Sequence, residues 1–448
     1  MESPLFYFTD PVLRGPTIAC MLMCLASSLV GVMVYLRKQS LLGESLSHAA
    51  YPGVLGGVLL GVFVFAGLDE GPLLAAFILI GAFLSALLGL WIIEILTRHL
   101  SVRNDAALCF VLSMAFGIGI TAASRLQFTH TQLYRHVNIY FYGQAATMTD
   151  LHVLVYACIS LLVVALISLM YKELQLITFD RDFASIIGIR TKTIDTALFI
   201  LIVLAVVVGI RSVGVVLMSA MLIAPAVSAR QWTNRLSVML ILAALFGLSS
   251  GFMGNYLSVE LGEYFSNKYP NENIALPTGP MIVLVAMGIC FVSLFLAPER
   301  GLLSRLGRIF LFRYKCIEEN FLKALWRINA DGDVTWLDLS RRMDTNRILA
   351  ELVLFQMRIK GYIFRKSFNV YQLTGQGRQR ATHVVRLHRL WELYLVDEIG
   401  IGAEKVHRNA EEMEHIITPN LEKRLSELLK DPKVDPHQQP IPPSTQKG

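Results

Sequence analysis

Charge is scarce in this chain. Only 17% of its 448 residues are Asp, Glu, Lys or Arg, where soluble domains carry about a quarter, and this excludes an ordinary water-soluble globule. Cysteine is sparse as well. Cys20, Cys24, Cys109, Cys158, Cys290 and Cys316 are scattered, mostly inside apolar runs, so neither a disulfide framework nor a cysteine-type zinc site is encoded. The opening MESPLFYFTDPVLRGP lacks a basic n-region and a cleavage site, and the first apolar stretch is expected to stay as a helix. No phosphate-binding loop of the Walker type occurs anywhere in the sequence, which excludes ATP hydrolysis by the chain itself.

What is present divides near residue 300. The chain is 54% hydrophobic, with a mean hydropathy of +0.54. Stretches long enough to cross about 30 Å of hydrocarbon, about 20 residues each, lie near 16–36, 49–67, 73–95, 106–124, 151–171, 193–210, 213–229, 236–257 and 279–297. Only the short stretch Arg211–Gly214 marks the seventh off from the sixth, and a broken or re-entrant element is expected there. The expected fold is an all-α polytopic membrane domain of eight to nine transmembrane helices.

Basic residues set the orientation. Arg37, Lys38, Arg98, Arg103, Lys172, Arg181, Arg190, Lys192, Arg230, Arg235 and Arg300 all fall on one side of the nine crossings. That side is expected to be the cytoplasm of an inner membrane, with the C-terminus inside. Residues 1–297 hold 15 basic and 15 acidic side chains; 25 and 19 follow. The whole formal +6 thus sits in the tail, which suits a cytoplasmic face or a polyanion such as DNA.

In the membrane part the sharpest signal is Glu44 and His48, four apart within LLGESLSHAAYPG and so on one face of a helix. Ionisable groups in membrane helices usually line an ion path, and carboxylate plus imidazole suits Mn, Fe or Zn. The alternative is an interfacial helix start, with Ser45 and Ser47 helping to cap it and His48 merely hydrogen-bonded.

The run from Gly43 to Gly53 resembles the G-D-A-L-S-H-A-x-x-P-G signature of permease subunits of manganese, zinc and iron ABC importers. Arg103-Asn-Asp-Ala-Ala, the stretch from Ser212 to Arg230, and Leu276-Pro-Thr-Gly-Pro280 with Ala297-Pro-Glu-Arg-Gly301 are similar to other parts of that family. The resemblance implies a domain at 1–300 in which Glu44 and His48 belong to the metal path. Glu stands where the family has Asp, which lengthens the arm. It further implies that Asp180, Phe183, Ile186, Ile187 and Gly188 form a coupling helix for a separate cytoplasmic ATP-binding subunit. An extracytoplasmic metal-binding protein and a second permease subunit, identical or not, would complete the importer.

The tail reads as a basic linker at 301–315, alternating helix and turn over 316–380 with a hairpin near 362–373, helix over 381–430 and a Pro-rich terminus at 431–448. His388 and Glu392 lie four apart; His407, Glu411, Glu414 and His415 follow at i, i+4, i+7 and i+8 along one helix face. Six N and O donors without cysteine fit a mid-row divalent cation. A solvated face of charge pairs is the competing reading.

The segments from Val385 to Asp397 and from Glu404 to His415 resemble the diphtheria-toxin-repressor family of iron- and manganese-dependent regulators. This implies a cytoplasmic winged helix-turn-helix at 316–380 and a metal-binding and dimerisation module after it. His388, Glu392, His407, Glu411, Glu414 and His415 become metal ligands, with Asn320 at the N-terminal-helix position. Mn²⁺ or Fe²⁺, with Zn²⁺ a third candidate, would be both cargo and corepressor. A neighbouring carboxylate position of manganese-type members is Lys323, which cannot bind metal. Operator DNA would be read by Thr345, Asn346 and Arg347, with Arg365 and Lys366 on the wing, although Ile348 to Phe355 is poor in polar readers. The competing expectation keeps the tail as a metal-sensing gate on transport that does not bind DNA. Since a tethered repressor reaches only DNA near the membrane, proteolytic release within 300–316 is expected.

Overall fold

The computed structural model describes residues 3–64, 72–270, 275–328, 334–335, 347–367 and 370–443. The chain divides into two compact units, Met1–Ser304 and Arg305–Gly448.

The first unit is wholly helical among its described residues. A short helix α1 (Phe6–Thr9) precedes α2 (Arg14–Leu36), α3 (Leu41–Val64), α4 (Pro72–Arg98), α5 (Asn104–Thr129), α6 (Thr131–Tyr142) and α7 (Asp150–Leu169). Then come α8 (Tyr171–Phe179), α9 (Arg181–Ile186), α10 (Thr191–Val213), α11 (Met218–Trp232), α12 (Leu236–Lys268) and α13 (Thr278–Leu296). Eight of these, α2, α3, α4, α5, α7, α10, α12 and α13, are long and apolar enough to cross a membrane.

Helices gain nothing from hydrophobicity against lipid, so small residues bring them close. On α3 and α4 a Cβ added at Gly53 would lie 2.1 Å from the Gly81 carbonyl oxygen, and one at Gly57 2.5 Å from that of Phe77. Any side chain there would force the pair apart.

The seventh expected span is α11, with 15 residues too short at about 1.5 Å each for a full crossing. It nonetheless carries the chain from one face to the other. Arg37 at the end of α2 reaches Asp195 at the start of α10, and Asn234 before α12 bonds Glu299 and Arg300 after α13. At the opposite face the end of α10 lies against Gly279 of α13, and Asn255 of α12 donates to Thr17 of α2. Arg37, Lys38, Arg98 and Arg181 line one cavity at the first of these faces.

The start of α11 is joined by α6, which lies between the spans expected at 106–124 and 151–171. Its Tyr140 carbonyl accepts the Val215 N–H at 3.1 Å, and Gln144 N–H donates to the Arg211 carbonyl at 2.9 Å. Gly143 and Gly214 make this junction with φ of +80° and +93°. Each would drive a Cβ to within 2.6 Å of the other strand's backbone, so only glycine fits both the left-handed conformation and the approach. Broken helices are tolerated at membrane depth when they satisfy one another in this way.

The second unit holds most of α14 (Leu302–Ile328), then β1 (Val334–Thr335), α15 (Arg347–Ile359), β2 (Ile363–Ser367), β3 (Val370–Leu373), α16 (Gly375–Asp397), α17 (Val406–Met413) and α18 (Pro419–Leu428). The strands form an antiparallel sheet ordered β1-β3-β2, with Ile363 opposite Leu373. The hairpin lies where its aromatic and β-branched content places it. Residues 302–315, read as a linker, are helical, and the module's first long helix begins before Cys316. Phe321, Leu322 and Leu325 of α14 pack with Val353, Leu354 and Met357 of α15 and with Ile363. The Pro-rich terminus is held against α16: Arg386 donates to the Pro442 carbonyl and Arg389 to Gln439, while Arg389 also pairs with Asp435.

Candidate metal sites in the membrane and in the second unit

On α3, Glu44 and His48 stand one turn apart, inside the helix rather than at its cap. Ser45 Oγ donates to the Leu108 carbonyl of α5 at 3.0 Å and Ser47 Oγ to the Glu44 carbonyl at 2.9 Å, so neither serine caps α3. His48 is 7% exposed, meets the Phe116 ring of α5 edge-on at 4.9 Å, and its Nδ1 is buried without a hydrogen-bond partner. A buried imidazole nitrogen left unpaired is costly, and a donor atom awaiting a cation is one use for it. Among the described residues no third carboxylate, imidazole or thiol joins the pair in a ligand cluster.

Between α8 and α10 the short α9 is capped by Asp180, whose carboxylate accepts the Phe183 N–H at 3.0 Å. Ala184 is buried beneath it, while Phe183, Ile186 and Ile187 are exposed, Ile186 at 80%; Gly188 ends it at φ +86°. An apolar face shown outward beside a basic loop suits a partner groove. Sequence reasoning missed Asp195, an acid at the start of an apolar helix. It accepts from Arg37 and Arg181 at 2.7 Å each, fastening α9 to the end of α2; its side chain is 6% exposed and Arg37's 12%. Asp195→Ala leaves two guanidiniums uncompensated. The expected cost is on the order of 3 kcal/mol, read as a lowered thermal midpoint of the purified protein, and wild-type stability would refute the clamp.

The second unit gathers the histidines and acids from α14, α16 and α17, but not as one set. His388 Nε2 lies 3.1 Å from His407 Nδ1 and 3.2 Å from Glu392 Oε1; His407 Nδ1 lies 2.8 Å from Glu392 Oε1. Donors bound to one ion at about 2.1 Å sit roughly 3 Å apart across an octahedral edge, so these three fit a divalent cation. His388 Nδ1–H donates to Glu414 Oε2, which fixes the tautomer and turns Nε2 toward the group, the usual support for a ligating histidine. Burial alone would push the His388 imidazole down, but its bonds to Glu392 and Glu414 outweigh this and hold it above the ordinary value. Burial would likewise raise Glu392, yet the two imidazoles hold its carboxyl at about 2.

Glu414 Oε1 instead meets Lys323 Nζ at 2.7 Å, with Glu411 Oε1 at 3.8 Å from the same nitrogen. His415 Nδ1 bonds Glu319 Oε2 at 2.8 Å, and Glu319 also receives Arg380 at 2.7 Å. Among the described residues Asn320 has no hydrogen bond or ion pair with this group. Glu319 and Lys323, four apart and so on one helix face, reach its side chains from α14, and Lys315 donates to the His415 carbonyl at 2.9 Å.

Thr345 and Asn346 lie outside the described residues, as does the side chain of Arg347, which opens α15. Arg365 and Lys366 lie exposed on β2. The outward face of α15 shows Leu352, Phe355 and Ile359 to solvent.

Residues 9–297 match the profile of the ABC 3 transport family, and residues 374–443 match the iron dependent repressor, metal binding and dimerisation domain. The chain is 36% identical to a "Probable metal transport system membrane protein" of Chlamydia trachomatis serovar D, over 98% of each chain. It is 33% identical to the "Manganese transport system membrane protein MntC" of Bacillus subtilis, over 84% of this chain and 82% of that one. A solved structure of PsaBC from Streptococcus pneumoniae in complex with Fab is alike in fold, with a TM-score of 0.53 at 23% identity, covering 66% of this chain and 96% of that one.

Proposed function

The chain belongs to the ABC 3 transport family, as a multi-pass membrane permease with a metal-dependent repressor domain at its C-terminal end, and from that premise we propose that it imports a divalent transition metal and senses the same ion. Manganese is the first candidate, from the MntC relative's name; iron and zinc share the oxygen-and-imidazole chemistry. Glu44 and His48 would offer the ion its first protein donors within the bilayer. The face with the basic residues would be cytoplasmic in an inner membrane. There Asp180, Phe183, Ile186, Ile187 and Gly188 would dock on an ATP-binding subunit, while an extracytoplasmic binding protein delivers the ion and a second permease subunit closes the pore.

In the tail, His388, Glu392 and His407 would hold the sensed cation, which supplies a fixed positive centre joining α16 to α17. The winged unit, with Thr345, Asn346, Arg347, Arg365 and Lys366, would then meet operator DNA as a dimer. The convergence of three donors on one point carries the sensing part of this proposal. The apolar stripe Leu352, Phe355 and Ile359 on α15 favours a second reading, a metal-operated gate pressing on a protein partner. Release of the tail would require cleavage within 300–316, where the backbone is helical beyond Gly301 and must open locally first.

Two measurements test this. Uptake of Mn²⁺ should require the partner ATPase and be competed by Fe²⁺ or Zn²⁺; uptake persisting without the ATPase would make the chain a secondary transporter. A gel shift of the chain on its own upstream DNA, with and without Mn²⁺, separates repressor from gate.

A further inference from the structure

The six expected ligands divide at Glu414, and the dividing group is an amine. Lys323 is 5% exposed, and its ammonium lies against Glu414, whose side chain is wholly buried. Glu411, about half exposed, completes its acidic surroundings. A buried lysine survives charged only where carboxylates compensate it, and here they do.

The charges of this second group are also already matched. Glu414 is neutralised by Lys323 and Glu319 by Arg380, while Glu411 lies 3.8 Å from Lys323 Nζ and 3.6 Å from His407 Nε2. A divalent ion entering beside that ammonium would be repelled at close range and would find both Glu414 oxygens engaged, one by Lys323 and one by His388. The His388–Glu392–His407 group differs: among the described residues no lysine or arginine is hydrogen-bonded to Glu392, whose partners are the two imidazoles.

We propose that the ammonium of Lys323 is the resident cation of the Glu411, Glu414 and His415 group, so that the tail takes one divalent ion, at His388, Glu392 and His407, and not two. Lys323 then locks α14 to α17 whether or not metal is present. Because Glu414 receives both Lys323 and His388, it joins this lock to the sensed ion. The inference rests on the sensing reading only for the first group; the lysine's occupancy of the second stands apart from it.

The test is metal content of the full-length purified chain, equilibrated with Mn²⁺ and measured by mass spectrometry, with bound Mn²⁺ followed by electron paramagnetic resonance. Glu411→Ala, at a half-exposed site, should leave the content unchanged, and Lys323→Met should raise it by one ion per chain with a second resonance signature. Loss of one ion in Glu411→Ala would overturn the proposal, as would a folded Lys323→Met chain that gains none. Should Lys323→Met fail to fold, Glu411→Ala still decides. His407→Ala should lose one ion; if it loses none, the sensing reading fails while the Glu411 result still judges the lysine.

Discussion

Replacing His48 with alanine is expected to abolish metal uptake while leaving the membrane unit folded. The imidazole Nδ1 has no hydrogen-bond partner, so its removal orphans no other group. The packing lost is mainly the edge contact with Phe116, worth on the order of 1 kcal/mol. Transport should suffer far more. Even groups that only orient a metal ligand are worth 10–100-fold, so loss of a donor on the path should lower influx about 100-fold. Radiolabelled Mn²⁺ uptake into vesicles carrying the complete importer measures this, with Glu44→Gln as companion since it keeps the shape and drops the charge. Wild-type influx in both variants, at equal protein, would remove α3 from the ion path.

His407→Ala is expected to uncouple the tail from metal. His407 lies half exposed at the edge of its site, so the substitution leaves α16 and its buried His388 and Glu392 in place. Two donors remain of three, and the Mn²⁺ concentration for half-maximal DNA retardation should rise about 100-fold or more. The full chain in nanodiscs, titrated with Mn²⁺ against its upstream DNA, gives the curve. An unmoved midpoint would place the sensed ion elsewhere. DNA binding that needs no metal in the wild type would favour the lysine lock alone as organiser of the winged unit.

Several of these residues are legible because their relationships are local. Glu44 with His48, His388 with Glu392, and His407 with Glu411 each sit four apart, and a 3.6-residue period puts them on one face whatever the helix packs against. The apolar faces of α9 and α15 follow from the same period. The eight long spans are legible for a different reason: no other solvent accepts 20 consecutive apolar residues.

The phase of α14 is not local. Asn320 is about 100° round the helix from Glu319, and nothing in the sequence says which of them faces α17. Packing of Phe321, Leu322 and Leu325 against α15 sets that rotation, and it brings Glu319 and Lys323 to the acids. Nor could Asp195 be paired from sequence, since Arg37 is 158 positions away.

By itself, then, the sequence determined where the chain changes solvent, which side its basic loops share and which donors ride together on a helix. Tertiary structure decided that the end of α6 joins the segment before α11 through backbone hydrogen bonds, and that the six expected ligands part into a metal-sized trio and a group holding an ammonium. Both decisions turn on buried polar groups finding partners on other elements. A carbonyl left by a broken helix and a carboxylate shut away from water each take the nearest donor that packing supplies, however distant it is along the chain.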